Sequence, residues 1–266
     1  MLGGLFLLLT LLQDTPELER VTVGDPGGPS DRPITLVQMS DLHMSGWRDV
    51  VRLRIALALV VHAEPDLIVL TGDYVREDAR TIDLAAPLLK ELAAPLGVYA
   101  VLGNHDLWTD RQVVTAGLTA AGITVLDNQG LALTSGNTSF YLAGLDDAWS
   151  GTPDLAVALA DNSDGRAVVL LVHEPDLGHE LVSEKPVWLL LAGHSHGGQV
   201  RLPRRGALIL PEHAHRFEHG LYAEGSGYIY VNRGMGTTTI PIRLGCRPEV
   251  TVMTLYPPPP AVQAAP

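Results

Sequence analysis

Apolar runs alternate with helically spaced segments through the first half of the chain. Ile34 to Met39 is a strand-like run ending at Ser40-Asp41, and Val50 to His62 carries apolar residues at helical spacing until Glu64-Pro65 stops it. Asp66 to Thr71 is almost unbroken in its apolarity, as expected of a strand covered on both faces, and it runs into Gly72-Asp73. Ile82 to Leu92 reads as a second helix. Gly97 to Leu102 reads as a third strand ending at Gly103, Val113 to Ala121 as a helix, and Ile123 to Leu126 as a short strand. After Asn128-Gln129-Gly130 the runs shorten. Leu131 to Thr134, Ser139 to Leu142, Val168 to Val172 and Val187 to Ala192 predict a second sheet with fewer crossover helices. Ala207 to Leu210, Gly227 to Asn232 and Val250 to Leu255 follow between Gly- and Pro-rich loops. A β/α half followed by a β-rich half predicts an α/β fold in which two sheets pack face to face with helices outside.

Five polar blocks directly follow apolar runs: Asp41-Leu42-His43, Gly72-Asp73, Gly103-Asn104-His105-Asp106, His173 and Gly193-His194-Ser195-His196. Asp, Asn and His supply the oxygen and nitrogen donors that divalent metals bind, and a ligand that follows a buried strand emerges where a sheet meets a cleft. A lone His43 or His173 would more often be an ordinary hydrogen-bonded histidine. Five such arrivals in one chain point instead to a two-metal hydrolase site. Two cations about 3.5 to 4 Å apart neutralise phosphate oxygens and deprotonate a bridging water. Asp73, at a strand end beside a glycine, is the natural shared carboxylate, and neutral Asn104 limits the anionic charge. His105 is placed to protonate the leaving oxygen, with Asp106 orienting it or raising its pKa.

The 46% hydrophobic content of the 266 residues is ample for one core, and no repeat or Ser/Gly-rich linker divides the chain. Eighteen Lys+Arg against thirty Asp+Glu give a formal charge of -12, which disfavours a nucleic acid partner and weakens a nuclease reading. Cys246 is the only cysteine, which excludes an internal disulfide and a thiolate zinc cluster. Leu2 to Leu12 is apolar but too short to cross a bilayer. Its length suits a signal-peptide core, although no basic region precedes it. A membrane-associated or exported protein with peripheral membrane contact is the expectation, and a cytoplasmic chain with a buried N-terminal segment is the alternative.

The five blocks, in order from Asp41 to His196, resemble the D-x-H, G-D, G-N-H-D/E, H and G-H-x-H pattern of the calcineurin-like metallophosphoesterase superfamily. Val98 to Asp106, Gly144-Leu-Asp-Asp147, His173-Glu-Pro-Asp176, Gly193 to Gln199 and Pro241-Ile-Arg-Leu244 are similar to its bacterial YaeI/YkuE-like branch. That resemblance implies a four-layer α/β/β/α sandwich of two mixed sheets with flanking helices. It covers roughly residues 20 to 255, so that 21–256 is expected to be the metallophosphoesterase domain, preceded by the apolar N-terminal segment 1–20 and followed by 257–266, whose prolines read as a disordered tail. It also implies two divalent metal ions, for which manganese, iron or zinc would suit. Asp41, His43, Asp73 and His196 would hold the first; Asp73, Asn104, His173 and His194 would hold the second. The implied activity is hydrolysis of a phosphodiester, pyrophosphate or phosphomonoester by a metal-bridging hydroxide. Small phosphate esters or lipid-linked envelope precursors, such as a UDP-diacylglucosamine, are the implied substrates.

One position departs from the pattern. Many relatives have an acid three residues after the bridging Asp, whereas Arg76 stands here, so that Asp106 or Asp78 would assist His105, or Arg76 would bind phosphate. Arg201, Arg233 and Arg243 are further candidate phosphate clamps, because a guanidinium binds two phosphate oxygens at once. Asp146-Asp147 is expected to brace the site from outside or to form a turn. His213, His215 and His219 read as a mobile rim loop, with an accessory metal site as the alternative. A catalytically silent metal-binding scaffold is the competing function class, and the retained His105 argues against it.

Overall fold

The computed structural model describes residues 13–28, 32–183 and 187–259, and in it two six-stranded sheets stack face to face. The first sheet contains β1 (Glu17–Gly24), β2 (Ile34–Met39), β3 (Leu67–Thr71), β4 (Val98–Val101), β5 (Thr124–Val125) and β14 (Glu249–Tyr256). Its order is β1-β14-β2-β3-β4-β5. The second contains β6 (Gln129–Ser135), β7 (Thr138–Gly144), β8 (Val168–Leu171), β9 (Val187–Ala192), β12 (Gly220–Glu224) and β13 (Gly227–Val231), in the order β12-β13-β9-β8-β7-β6. Both sheets are mixed. β2 to β5 run parallel while β14 opposes β2, and β7, β8, β9 and β13 run parallel between antiparallel edge strands. A short hairpin of β10 (Arg201–Leu202) and β11 (Gly206–Ala207) stands apart.

Strand alternation explains the layers. In β3, Leu67 and Val69 face the second sheet with Leu189 and Leu191, whereas Ile68 and Leu70 face the outer helices. Those helices are α1 (Trp47–Ala63), α2 (Ile82–Leu89) and α3 (Asn104–Ala120), which deliver Leu53, Leu57, Ile82, Leu89 and Leu118 to the same core. The outer face of the second sheet buries Val168, Leu170 and Leu190 against α4 (Leu155–Ala158) and α5 (Gly178–Ser183), through residues such as Ala158 and Val182. Three apolar interiors between four layers account for runs that are hydrophobic on both faces. The four-layer expectation holds.

Three features lie off the sequence pattern. β14 leaves the β-rich half and inserts between β1 and β2 in the first sheet. β1 begins at Glu17, four residues before the domain start expected at residue 21, because it pairs in parallel with β14 from Glu17↔Glu249 to Gly24↔Tyr256. α3 starts at Asn104 and bends at Asp110, whose φ of -162° and ψ of 97° are non-helical. The Asp110 carboxylate caps the second piece by accepting from Gln112 N at 3.0 Å and Val113 N at 3.1 Å. The apolar run Leu2 to Leu12 and residues 260–266 lie outside the described residues. Among the described residues no helix is long and apolar enough to cross a membrane.

Candidate metal centre

The five blocks converge at the carboxyl ends of β2, β3, β4, β8 and β9, and so at the junction of the two sheets. The turns are stitched together by backbone bonds: Asp41 N donates to Gly72 O at 2.9 Å, His43 N to Asp73 O at 3.0 Å and Gly193 N to His173 O at 3.0 Å. Five of the expected ligands sit at left-handed φ: Asp41 (52°), His43 (44°), Asp73 (57°), His194 (66°) and His196 (51°). Such backbone costs energy for a residue with a side chain and persists only where its surroundings hold it, which is common at functional sites.

Ligand atoms of Asp41, His43 and His196 lie within 4.8 Å of one another, as do those of Asp73, His173 and His194. All six residues are buried. Asp73 connects the groups, because its Oδ2 lies 3.4 Å from His43 Nε2 and 3.2 Å from His173 Nε2. Within the groups, ring nitrogens face ring nitrogens: His43 Nε2 is 3.0 Å from His196 Nε2, and His194 Nδ1 is 3.2 Å from His173 Nε2. Ring nitrogens that converge at this distance beside a buried carboxylate can share a cation between them. Asn104 Oδ1 is buried without a hydrogen-bond partner, which the same explanation covers. The donor chemistry of these seven residues therefore fits divalent metal ions.

Backbone carbonyls fix the imidazoles. His173 Nδ1–H donates to Thr71 O at 2.7 Å and His194 Nε2–H to Glu212 O at 2.8 Å, which turns the other nitrogen of each ring inward as an acceptor. Burial pulls His43 down to about 3, His194 down to about 4 and His196 well below the usual histidine range, so these rings stand neutral with lone pairs available. Burial also opposes charge on His173, but the neighbouring Asp73 carboxylate outweighs it and raises that ring well above the usual histidine range, and a bound cation would take the place of the proton. Burial pushes Asp41 up to about 6.

His105 lies partly exposed at the rim, with a ligand atom within 4.8 Å of those of His43 and Asp73. Its Nδ1–H donates to Arg76 O at 2.7 Å and its backbone N–H to Asp73 Oδ1 at 2.9 Å, leaving Nε2 free. Asp106 does not orient this ring, contrary to expectation. Its buried carboxylate accepts from Asp73 N (2.9 Å), Tyr74 N (2.9 Å), Val75 N (3.3 Å) and Gly103 N (3.0 Å), which occupies it as a brace for the loop. Asp78 is likewise taken, by Arg80.

The expected arginines divide. Arg76 pairs only loosely with Glu77, at 3.7 Å, and its charge contributes to the lowering of His43. Arg201 is bound to Gly197 O at 2.8 Å and Glu218 at 2.7 Å, and Arg233 meets Glu17, Glu19 and Glu249. Carboxylates thus engage all three nitrogens of Arg233, which leaves it no fork for a phosphate, whereas Arg201 is held through one terminal nitrogen. Arg243 is 2% exposed and donates to the carbonyls of Arg233, Gly234, Gly236 and His196, which locks the loop under His196. The His213 loop is pinned rather than mobile. Asp176 accepts from the backbone N–H groups of His215, Arg216 and Phe217, and Ala214 and Phe217 are buried. Among the described residues, His213, His215 and His219 enter no group able to hold a metal.

A family model described as calcineurin-like phosphoesterase matches residues 34–198, the span that carries all five blocks. The chain belongs to the calcineurin-like phosphoesterases. It is 40% identical over 225 residues to the uncharacterized metallophosphoesterase YkuE of Bacillus subtilis (strain 168), covering 83% of this chain and 78% of that one. It is 36% identical over 227 residues to the phosphodiesterase YaeI of Escherichia coli (strain K12), covering 84% and 82%. Among solved structures, GAP50, the anchor in the inner membrane complex of Plasmodium, shares the fold with a TM-score of 0.50 at 10% identity, over 81% of this chain and 77% of that chain. As a member of this family the chain is a metal-dependent phosphoric ester hydrolase.

Two exposed tryptophans went unnoticed in the sequence. Trp108 and Trp149 stand beside the centre, with ring centroids 5.0 Å from His105 and 5.7 Å from His194, respectively. Trp108 had a usable signal: it follows His105 by three positions, and such residues share a helical face.

Proposed function

We propose that this calcineurin-like phosphoesterase hydrolyses phosphoric diesters at a centre of two divalent cations that share Asp73. The observation that carries the reading is the position of Asp73 Oδ2, within 3.4 Å of a histidine from each ligand group. Asp41, His43 and His196 complete one set, and Asn104, His173 and His194 complete the other. Manganese, iron or zinc suits donors that are all nitrogen or oxygen. When bound, such a pair neutralises phosphoryl oxygens and makes water nucleophilic at neutral pH.

The chain's own side chains perform the remaining tasks. His105, oriented through Nδ1 by the Arg76 carbonyl, donates a proton from Nε2 to the leaving oxygen. The Arg76 guanidinium offers positive charge to a non-bridging phosphate oxygen. Diesterase chemistry is favoured by the likeness to YaeI, which is described as a phosphodiesterase.

Metal content and turnover test the proposal together. Manganese-loaded protein should hold two ions per chain and cleave bis-p-nitrophenyl phosphate, and Asp73→Ala should lose both properties. One ion per chain would remove the shared-carboxylate reading. Full occupancy without turnover of any diester would remove the assigned activity.

A further inference from the structure

Indole rings are large and apolar, and they are usually mostly buried; yet Trp108 is 52% exposed and Trp149 38% exposed at the rim of the centre. Both are nevertheless held in place. Trp108 Nε1–H donates to Ser150 Oγ at 2.7 Å. The loop carrying Trp149 is anchored through Ala148 N to Glu174 Oε2 at 3.0 Å and Ser150 N to Asp147 Oδ2 at 2.6 Å. The indole N–H of Trp108 is thus satisfied, and both residues stay partly open to solvent. Simple core packing would have covered them.

The rings also form a continuous arch. His43 and His105 meet at 4.7 Å, His105 and Trp108 at 5.0 Å, Trp108 and Trp149 at 5.0 Å, and Trp149 and His194 at 5.7 Å. The arch thus passes from a residue of one ligand group to a residue of the other, by way of His105. The two indole planes cross at 78°, making a corner in which an inserted ring can stack on one face and meet the other in the edge-to-face manner. His213 closes the outer side, 5.7 Å from Trp149.

We propose that Trp108 and Trp149 form a subsite for a planar aromatic leaving group, such as an aryl or nucleoside moiety, immediately beside His105. The inference rests on the reading of His105 as donor to the leaving oxygen, because the group attached to that oxygen emerges on the His105 side. A prefixed corner loses little conformational freedom on binding, so that stacking adds directly to affinity.

Calorimetric titration of manganese-loaded protein with phenyl-, cyclohexyl- and methylphosphonate tests the subsite without turnover. Phenylphosphonate should bind about tenfold more tightly than either of the others, the ratio expected for one good aromatic contact. Trp108→Ala and Trp149→Ala should each bring the phenyl-to-cyclohexyl ratio close to one, and Trp108→Phe, which keeps a ring in place, should restore most of it. Equal affinity for phenyl and cyclohexyl ligands, or a ratio unmoved by both alanine variants, overturns the subsite while leaving the phosphoester centre intact. Failure of all three phosphonates to bind overturns the centre and the subsite together.

Discussion

Asp106 holds the turn that presents the Asp73 carboxylate through backbone N–H groups alone. Four backbone N–H donors, from Asp73, Tyr74, Val75 and Gly103, end on its two oxygens, so the turn that presents Asp73 is built around it. Asp106→Ala would leave those buried donors without an acceptor, and the expected cost is about 3 to 5 kcal/mol in urea unfolding. His105→Ala should behave differently: metal content and stability stay near those of the parent, while kcat for a diester falls by roughly 10² to 10⁴. Loss of metal in His105→Ala would instead make His105 a ligand. The identities of the residues that gather here were legible from spacing, because donor types recur after apolar runs. Their roles were less so. Asp106 acts on backbone N–H groups, and Arg233 is claimed by Glu17, Glu19 and Glu249 from distant segments, relations that no local pattern encodes.

At the level of elements, legibility followed burial. β2 and β9 have the bounds their apolar runs predict, Ile34–Met39 and Val187–Ala192, since both faces of each are covered. β1 escaped detection because it lies at the sheet edge with mostly half-buried residues and alternating charges, so its position depends on pairing with β14. The first turns of α3 escaped because Asn104, His105 and Asp106 serve the centre and leave no apolar stripe. That turn also shows how tightly β4 is joined to α3. A Cβ on Gly103 would collide with the Asp73 carboxylate and lie 2.8 Å from both Asp73 N and His173 Cε1. Gly103→Ala should therefore abolish manganese binding, measured by elemental analysis, while the far-ultraviolet circular dichroism retains its α/β form. Retention of two ions per chain would show that the turn can yield, and that the close approach is not what fixes Asp73.

Across the whole molecule, the centre joins the two sheets. Asp41, His43, Asp73 and Asn104 follow strands of the first sheet, and His173, His194 and His196 follow strands of the second. Between the sheets the remaining contact is the apolar interior of Leu36, Val69, Phe140, Leu171 and Leu191, which is non-directional, with a few buried polar links such as Gln38 Nε2 to Ala192 O at 2.9 Å. A metal site built from both sheets is complete only in the folded chain, so the binding energy of ions held there would add to global stability. At a free concentration a hundredfold above Kd that contribution is about 2.7 kcal/mol per site. For a domain of this size it corresponds to a rise in Tm of roughly 5 to 11 °C, seen by scanning calorimetry with and without manganese. A chelator should reverse the rise, and Asp73→Ala should abolish it. Sodium chloride at matched ionic strength serves as the control, because a chain of charge -12 also gains from simple screening. An equal rise in sodium chloride would assign the effect to screening, and a manganese-specific rise that survives Asp73→Ala would place the stabilising ion away from the junction of the sheets.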